Sequence, residues 1–331
     1  MSILSDFPTP TLNFQPALHK TPEQLLSHMK ALGITFDRGS ESDEIASYVD
    51  QFGNLQLAPA NYPRPNFVDG INYGFLVEGL RIQLFLNSET LSTQGVTATA
   101  DEYTVSFFGT GTITFSGAYS GSLVGTGEKE RVEITFTPTA GTVTCTVSGN
   151  VKYANFEKGA FATSWIKSEG STVTRSADDA IIEGQAFLDF YNYGEGTFIV
   201  EAISFQEESN GASIISSNQG NHGVFFRNNI PRIVLGNYNA GDGNKNFPEG
   251  TTVNDFIKAG AVLYPDGVEK FHTLGSIVTN DNEGFSNYES LLVGASIHPS
   301  SIGALNGHVK SIVYFPKALT DAQLEAFTRN L

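Results

Sequence analysis

The chain has 331 residues, 40% of them apolar and only 16% charged, with a formal net charge of -16. That length supports more than one domain with its own core, and the strong negative charge argues against nucleic acid as a partner. One cysteine, Cys145, rules out a disulfide framework within the chain, and no apolar run is long enough for a membrane-spanning helix.

The composition is that of an all-β protein. Gly (34), Phe (25) and Tyr (12) are abundant, and Ser, Thr and Asn supply the polarity that charged residues do not. Residues 1–20 carry three prolines and little periodicity, so they read as an extended arm without a secretion signal, made in a cytoplasm. In TPEQLLSHMKALG, Thr21 caps, Pro22 takes the first helical position, Leu25, Leu26, Met29 and Leu32 share a face, and Gly33 stops a short helix. Residues 1–33 therefore form an arm and helix that need a surface to dock on. Residues 34–85 read as a ribbon of short extended pieces, with a turn at Gln51–Asn54 and breaks at Pro63 and Pro65.

Residues 86–178 alternate strand after strand. YTVSFFGTG, TITFSGAYSG, RVEITFTPTAG, TVTCTVSG and VKYANFE are separated by turns at intervals of about ten residues, the spacing of a sandwich. Cys145 falls on one face of such a strand as a small apolar residue. The stretch 150–206 holds the end of one β-domain, a polar joint and the first strands of another. Trp165 and Ile166, in FATSWI, are expected to pack at that joint. Residues 179–331 give further strands: GQAFLDFYN, GTFIVEAISFQ, ASIISSN, GVFFRNN, PRIVLGNY, AGAVLYPD, ESLLVGASI and HVKSIVYFPKA. A short C-terminal helix in LTDAQLEAFTRNL closes them, capped by Thr320. The predicted fold is two β-sandwiches in tandem, with an N-terminal arm, one short N-terminal helix and a short C-terminal helix.

Candidate chemistry is sparse. The glycines of GTG at 109–111 and 125–127 do not open a helix and read as tight turns, not a phosphate loop. A glycosidase needs two carboxylates facing one cleft. Asp178–Asp179 and Glu207–Glu208 are adjacent pairs whose side chains would point to opposite faces of a strand, and Glu195 and Glu201 flank an apolar one. The six histidines are scattered without metal-ligand spacing, so no catalytic residue, metal or cofactor is expected. The polar loop 236–250 holds Asn239, Asp242, Asn244, Asn246 and Glu249. Their oxygens could serve Ca²⁺, but the spacing fits no calcium loop and a solvated loop is the simpler reading. Rings that could stack on a sugar are Tyr191, Tyr193, Tyr238, Phe247, Tyr288 and Trp165. The favoured glycan site is Tyr238 and Phe247, with Asn239 and Asp242 between them.

One resemblance joins these pieces. The run ITFDRGS…YVDQFGNLQLAPANYPRPNF, then GFLVEGLRIQLFLNSE, resembles the opening of tailed-bacteriophage virion proteins. Arg38, Ser40, Tyr48, Val49, Asp50, Gly53, Ala58, Asn61, Pro63, Arg64, Gly74, Leu76, Glu78 and Arg81 match. The passage GSESDEIAS is longer and more acidic than that pattern, and Gln83 replaces its usual Asn. The close, LNGHVKSIVYFPKALTDAQLEAF, is similar to the end of a laminin-G-type domain. The resemblance implies a carbohydrate-binding-module-like sandwich followed by a concanavalin A-like one. It also implies a non-enzymatic structural protein on the virion surface: a tail fibre or baseplate appendage, or a head fibre or decoration component. Expected partners are other virion proteins through the arm, further copies of the chain, and weakly bound host-surface glycan. A dedicated glycan-binding adhesin is the alternative, and a polysaccharide depolymerase a more distant one.

Overall fold

A computed structural model describes residues 7–39, 45–205, 212–217, 223–227, 230–234, 244–246, 256–265, 269–273, 276–280, 289–295 and 303–328. The chain begins with β1 (Leu12–Phe14), a 3-10 turn (Pro16–Leu18), α1 (Pro22–Ala31) and β2 (Thr35–Asp37). Five short strands follow: β3 (Ser47–Val49), β4 (Leu55–Leu57), β5 (Arg64–Val68), β6 (Ile71–Val77) and β7 (Arg81–Gln83). The middle of the chain holds β8 (Gln94–Ala98), β9 (Tyr103–Gly109), β10 (Thr112–Gly117), β11 (Gly121–Val124), β12 (Gly127–Phe136), β13 (Gly141–Ser148) and β14 (Val151–Lys158). Next come β15 (Val173–Arg175), β16 (Asp179–Glu183) and α2 (Gly184–Phe190). Then follow β17 (Gly196–Ser204), β18 (Ala212–Ser216), β19 (Gly223–Arg227), β20 (Ile230–Val234), β21 (Asn244–Asn246) and β22 (Ile257–Leu263). The last elements are β23 (Glu269–Thr273), β24 (Ser276–Asn280), β25 (Ser290–Val293), β26 (Gly307–Phe315) and α3 (Asp321–Thr328). The protein is all-β, as its composition requires.

The chain divides into two units, and both are discontinuous. Unit 1 comprises residues 1–37, 72–79 and 178–331; unit 2 comprises 38–71 and 80–177. This differs from the linear division into 1–33, 34–85, 86–178 and 179–331. The stretch 34–85 is shared out: β2 and most of β6 belong to unit 1, and the rest to unit 2.

Unit 1 has two sheets. One runs β24-β23-β22-β17-β26-β6, with β1 also on β26; the other runs β2-β16-β25-β18-β19-β20-β21. Their facing side chains form one apolar core that includes Phe75, Val77, Ile182, Val200, Ala202, Ile214, Leu291, Val309 and Ile312. The N-terminal segment is part of this core. Leu12, Phe14, Leu25 and Met29 are all buried in it, and β1 pairs with β26 in the register Leu12–Tyr314, Asn13–Val313 and Phe14–Ile312. The arm expected to lack a core thus finds one in its own chain, because β6 covers only Gly307–Val309 of β26 and leaves the far half to β1.

Local chemistry fixes α1 in place. The Thr21 hydroxyl accepts from the Gln24 amide at 3.3 Å, Pro22 starts the helix, and Gly33 leaves it at φ 73°. Gly33 is required on packing grounds as well, since a Cβ there would lie 2.5 Å from Ala186 Cβ. His28 stacks on Phe14 and accepts the Gln15 amide through Nε2 at 3.1 Å; burial, then the neighbouring His19, holds its pKa below the usual histidine value. At the other end α3 covers the opposite face of β17 and β22 through Leu324, which packs with Ile199, Val262, Phe315 and Leu319. Its start is a reciprocal cap: Gln323 N donates to Thr320 Oγ1, and Thr320 N donates to Gln323 Oε1.

Unit 2 also has two main sheets, β11-β10-β13-β8 and β12-β9-β14, with the ribbons β3-β4 and β7-β15 beside them. Its core holds Phe85, Val105, Phe107, Ile113, Phe115, Val143, Cys145, Val151 and Phe156. Both GTG runs are close backbone approaches. A Cβ on Gly109 would lie 2.2 Å from the Asn150 carbonyl oxygen, and one on Gly125 would lie 2.1 Å from that of Gly109.

Two outcomes follow. Phe14→Ala should cost about 3–5 kcal/mol of unfolding free energy, measured by urea denaturation; a loss below about 1 kcal/mol would mean the arm is not part of the core. Cys145 sits opposite Phe115, fully buried, and burial pushes its thiol up to about 12. It should resist iodoacetamide in the native protein at pH 8 and react fully once urea unfolds the chain. Equal rates in the two states would contradict this placement.

Candidate functional site

Trp165 and Ile166 lie within unit 2, at the centre of a buried hydrogen-bonded seam, and not at a link between units. The Trp165 indole donates to Ser88 Oγ at 3.0 Å, its ring meets Tyr153 edge-on at 4.8 Å, and its carbonyl accepts from Ser47 Oγ at 2.7 Å. The Ile166 amide donates to Asn155 Oδ1 at 3.0 Å, and its carbonyl accepts from Gln83 Nε2 and Ser88 Oγ. Ala46 bridges to Ile166, so residues 45–47, 83–88, 153–157 and 163–168 are tied at one place. Tyr153 is held at φ 49°, an unusual conformation for an aromatic residue.

Gln83 organises this seam. Its Nε2 donates to Ala154 O, Asn155 Oδ1 and Ile166 O, and its Oε1 accepts the amides of Phe85 and Phe156, both at 3.0 Å. The longer side chain at this position spans from β7 to β14 and the 166 backbone at once. Beside it, Glu157 is fully buried and accepts from Thr163 N and Thr163 Oγ1, each at 2.6 Å. Burial pushes its carboxyl above the ordinary glutamate value; the Thr163 hydrogen bonds and the charges of Arg175 and Arg81 act against that shift without cancelling it. Arg64 donates from Nη1 to Ser47 O at 3.1 Å and to Ser164 Oγ at 2.6 Å, and Arg175 Nη1 reaches the same hydroxyl at 3.0 Å.

The matched opening residues meet the same need. The Arg38 amide donates to Asn61 Oδ1 at 2.9 Å and its guanidinium to Tyr62 O at 2.7 Å, with Asn61 at φ 57°. Asp50 closes the β3–β4 turn by accepting from the Phe52 and Asn54 amides, the Asn54 side chain and Gln56 Nε2. Partial burial raises the Asp50 pKa, and these bonds outweigh it and bring the value below the ordinary one. Most of the seam's side-chain hydrogen bonds go to backbone.

The favoured glycan residues Tyr238, Asn239, Asp242 and Phe247 lie outside the described residues, as does Tyr288. Of the other rings, Tyr191 is buried against Phe187, Phe198 and Tyr314, while Tyr193 is 45% exposed. Glu195 pairs with Lys317 and accepts the Ala318 amide; these partners hold its carboxyl below the ordinary value. Asp178 accepts the Glu78 amide and is buried, whereas Asp179 begins β16. Among the described residues, no three His, Cys, Asp or Glu come together as metal ligands, and no helix is long and apolar enough to cross a membrane.

No family model matches the chain, and no curated protein sequence does. Solved structures give low-similarity matches. One is the CBM40 of the Ruminococcus gnavus IT-sialidase bound to α2,3-sialyllactose, at 14% identity and TM-score 0.34, covering 42% of this chain and 84% of that one. A second is the binding domain of botulinum neurotoxin DC in complex with SialylT, at 14% identity and TM-score 0.35, covering 45% of this chain and 38% of the other. A third is the botulinum neurotoxin serotype D/C binding domain, at 14% identity and TM-score 0.36, with 46% and 40% covered. The chain thus spans about two fifths of the toxin domains it is similar to. All three are binding domains, but at these scores the likeness places no ligand on this chain.

Trp165→Ala removes both the ring and the donor to Ser88, and should cost about 3–5 kcal/mol. Denaturation followed by tyrosine fluorescence would measure it, and a change under about 1 kcal/mol would mean the indole is not part of the seam.

Proposed function

We propose that the protein is a non-enzymatic structural protein of a tailed-bacteriophage virion. It is exposed on the particle as a tail fibre or baseplate appendage, or as a head fibre or decoration component, and binds host-surface glycan weakly. The observation that carries this reading is the use made of the matched opening residues. Arg38, Asp50, Asn61 and Arg64 hold backbone within unit 2. A sequence pattern of this kind maintains a rigid part, which is what a repeated building block needs. Weak single-site affinity suits the same role, because many copies on one particle multiply it through high effective concentration.

Further copies of the chain and other virion proteins are the expected partners, since virion parts assemble on symmetry axes. The outward side of the N-terminal segment is the natural place for them: Leu18 there is 75% exposed although its neighbours Phe14 and Leu25 are in the core.

Immunogold labelling of purified particles from the genome that encodes the chain tests this. The expected result is label at a fixed position on the particle. Label confined to the soluble fraction of the lysate would overturn the reading.

A further inference from the structure

The β17–β26 pair in unit 1 carries an irregularity that assembles a second group of side chains, away from the seam of unit 2. Along β17, Val200 and Ala202 face the core. Glu201, Ile203 and Phe205 therefore stand on the opposite face. The register with β26 shifts between Glu201 and Ala202: Glu201 pairs with Ser311 and Ala202 with Val309, so Lys310 is the extra residue of a bulge. A bulge re-aims the side chain it carries, and here Lys310 Nζ comes to 2.8 Å from Glu201 Oε1. Lys258, directly across from Glu201 on β22, reaches Glu201 Oε2 at 3.4 Å.

Rings surround this charged centre. Phe256 lies under Lys310 Nζ, 5.0 Å from it, and meets Tyr73 at 4.9 Å. Tyr73 packs edge-on against His308 at 5.5 Å, and Phe205 does the same at 5.0 Å. Tyr73 reaches this face because Gly74, at φ 93°, breaks the alternation that sends Phe75 and Val77 into the core. Only glycine fits there, since a Cβ would lie 2.3 Å from the Val309 carbonyl oxygen at the bulge. Tyr73, Phe205, Phe256, Lys258, Lys310 and Glu201 are neither buried nor fully exposed, unlike the rings of the two cores.

We infer that this outer sheet face, with Tyr73 and Phe256 as stacking rings and Glu201, Lys258 and Lys310 as hydrogen-bonding groups, is a binding site for neutral pyranose glycan. The inference rests on the glycan-binding part of the reading above and gives it a place and a sugar class. A pyranose presents an apolar C–H face and a rim of hydroxyls. Half-exposed rings beside a fixed carboxylate and two ammonium groups match both, one by stacking and the other by donated and accepted hydrogen bonds. The charges favour a neutral sugar. Both lysines are already paired with Glu201, and an acidic sugar would have to compete with that carboxylate on a chain of net charge -16.

The test uses the full chain, immobilised at high density, against an array of neutral hexose and sialylated oligosaccharides. Wild type should retain neutral glycans. Tyr73→Ala and Glu201→Gln should each weaken that binding by roughly tenfold or more, with unchanged far-UV circular dichroism, while Tyr193→Ala leaves it unaltered. Should Tyr73→Ala fail to fold, Glu201→Gln and Lys310→Ala carry the test. Neutral-glycan binding that survives every variant would overturn the site and leave the glycan reading standing. Binding to sialylated glycans alone would overturn the sugar class. Binding to nothing on the array would overturn both the site and the glycan reading, without touching the virion role.

Discussion

Strand β26 has nine residues, and on the side away from β17 no single neighbour runs its length. Residues 307–309 pair with β6 and residues 312–314 with β1. Buried backbone groups cannot be left without partners, so three separate stretches of the sequence have to arrive before this sheet is complete. The discontinuous division of the chain follows from that requirement. Unit 2 occupies the two excursions, 38–71 and 80–177, between the pieces that unit 1 needs.

The same requirement shapes the outer face of that sheet. Where β6 gives way to β1, the bulge at Lys310 and the conformation of Gly74 lie side by side, and each displaces a side chain from the plain alternation of a strand. A regular β26 would leave Lys310 in a different relation to Glu201, and a regular β6 would send Tyr73 after Phe75. The outer-face chemistry thus depends on two adjacent irregularities, one in β26 and one in β6.

Much of the fold was legible in the sequence, for physical reasons that vary along the chain. Period-two alternation between glycine turns marks β10 and β13, because one face of each strand is buried and the other is wet, whereas β9 and β14 are buried on both faces over most of their length. Capping residues mark α1 and α3, where Thr21 and Thr320 make the expected bonds. GQAFLDFYN, read as a strand, forms α2 over Gly184–Phe190 instead. Its buried residues Phe187 and Phe190 are three apart, but seven residues are too few for a helical period to show. The shared ownership of 34–85 was hidden because short strands carry no sign of which sheet they join. Trp165 was legible as a buried anchor, whereas its partners Ser47, Ser88 and Tyr153 lie too far along the chain for spacing to connect them. The outer-face group was not legible either: Tyr73, Glu201 and Lys310 come from three strands and Phe256 from just before a fourth, and only the bulge brings the lysine in.

The pairing of β1 with β26 has a mechanical side. The strands are antiparallel, with Leu12 opposite Tyr314, so the flanking segments leave this pair from the same end. Tension applied through those two flanks would load the hydrogen bonds one after another, as in opening a zip, and not all together in shear. Unit 2, entered and left through interior positions of the chain, would carry none of that load until the β1–β26 pair had parted. The ring contact of Phe7 with Phe327 and the packing of Leu324 would part first, and the three residue pairs of β1 and β26 would then open in turn.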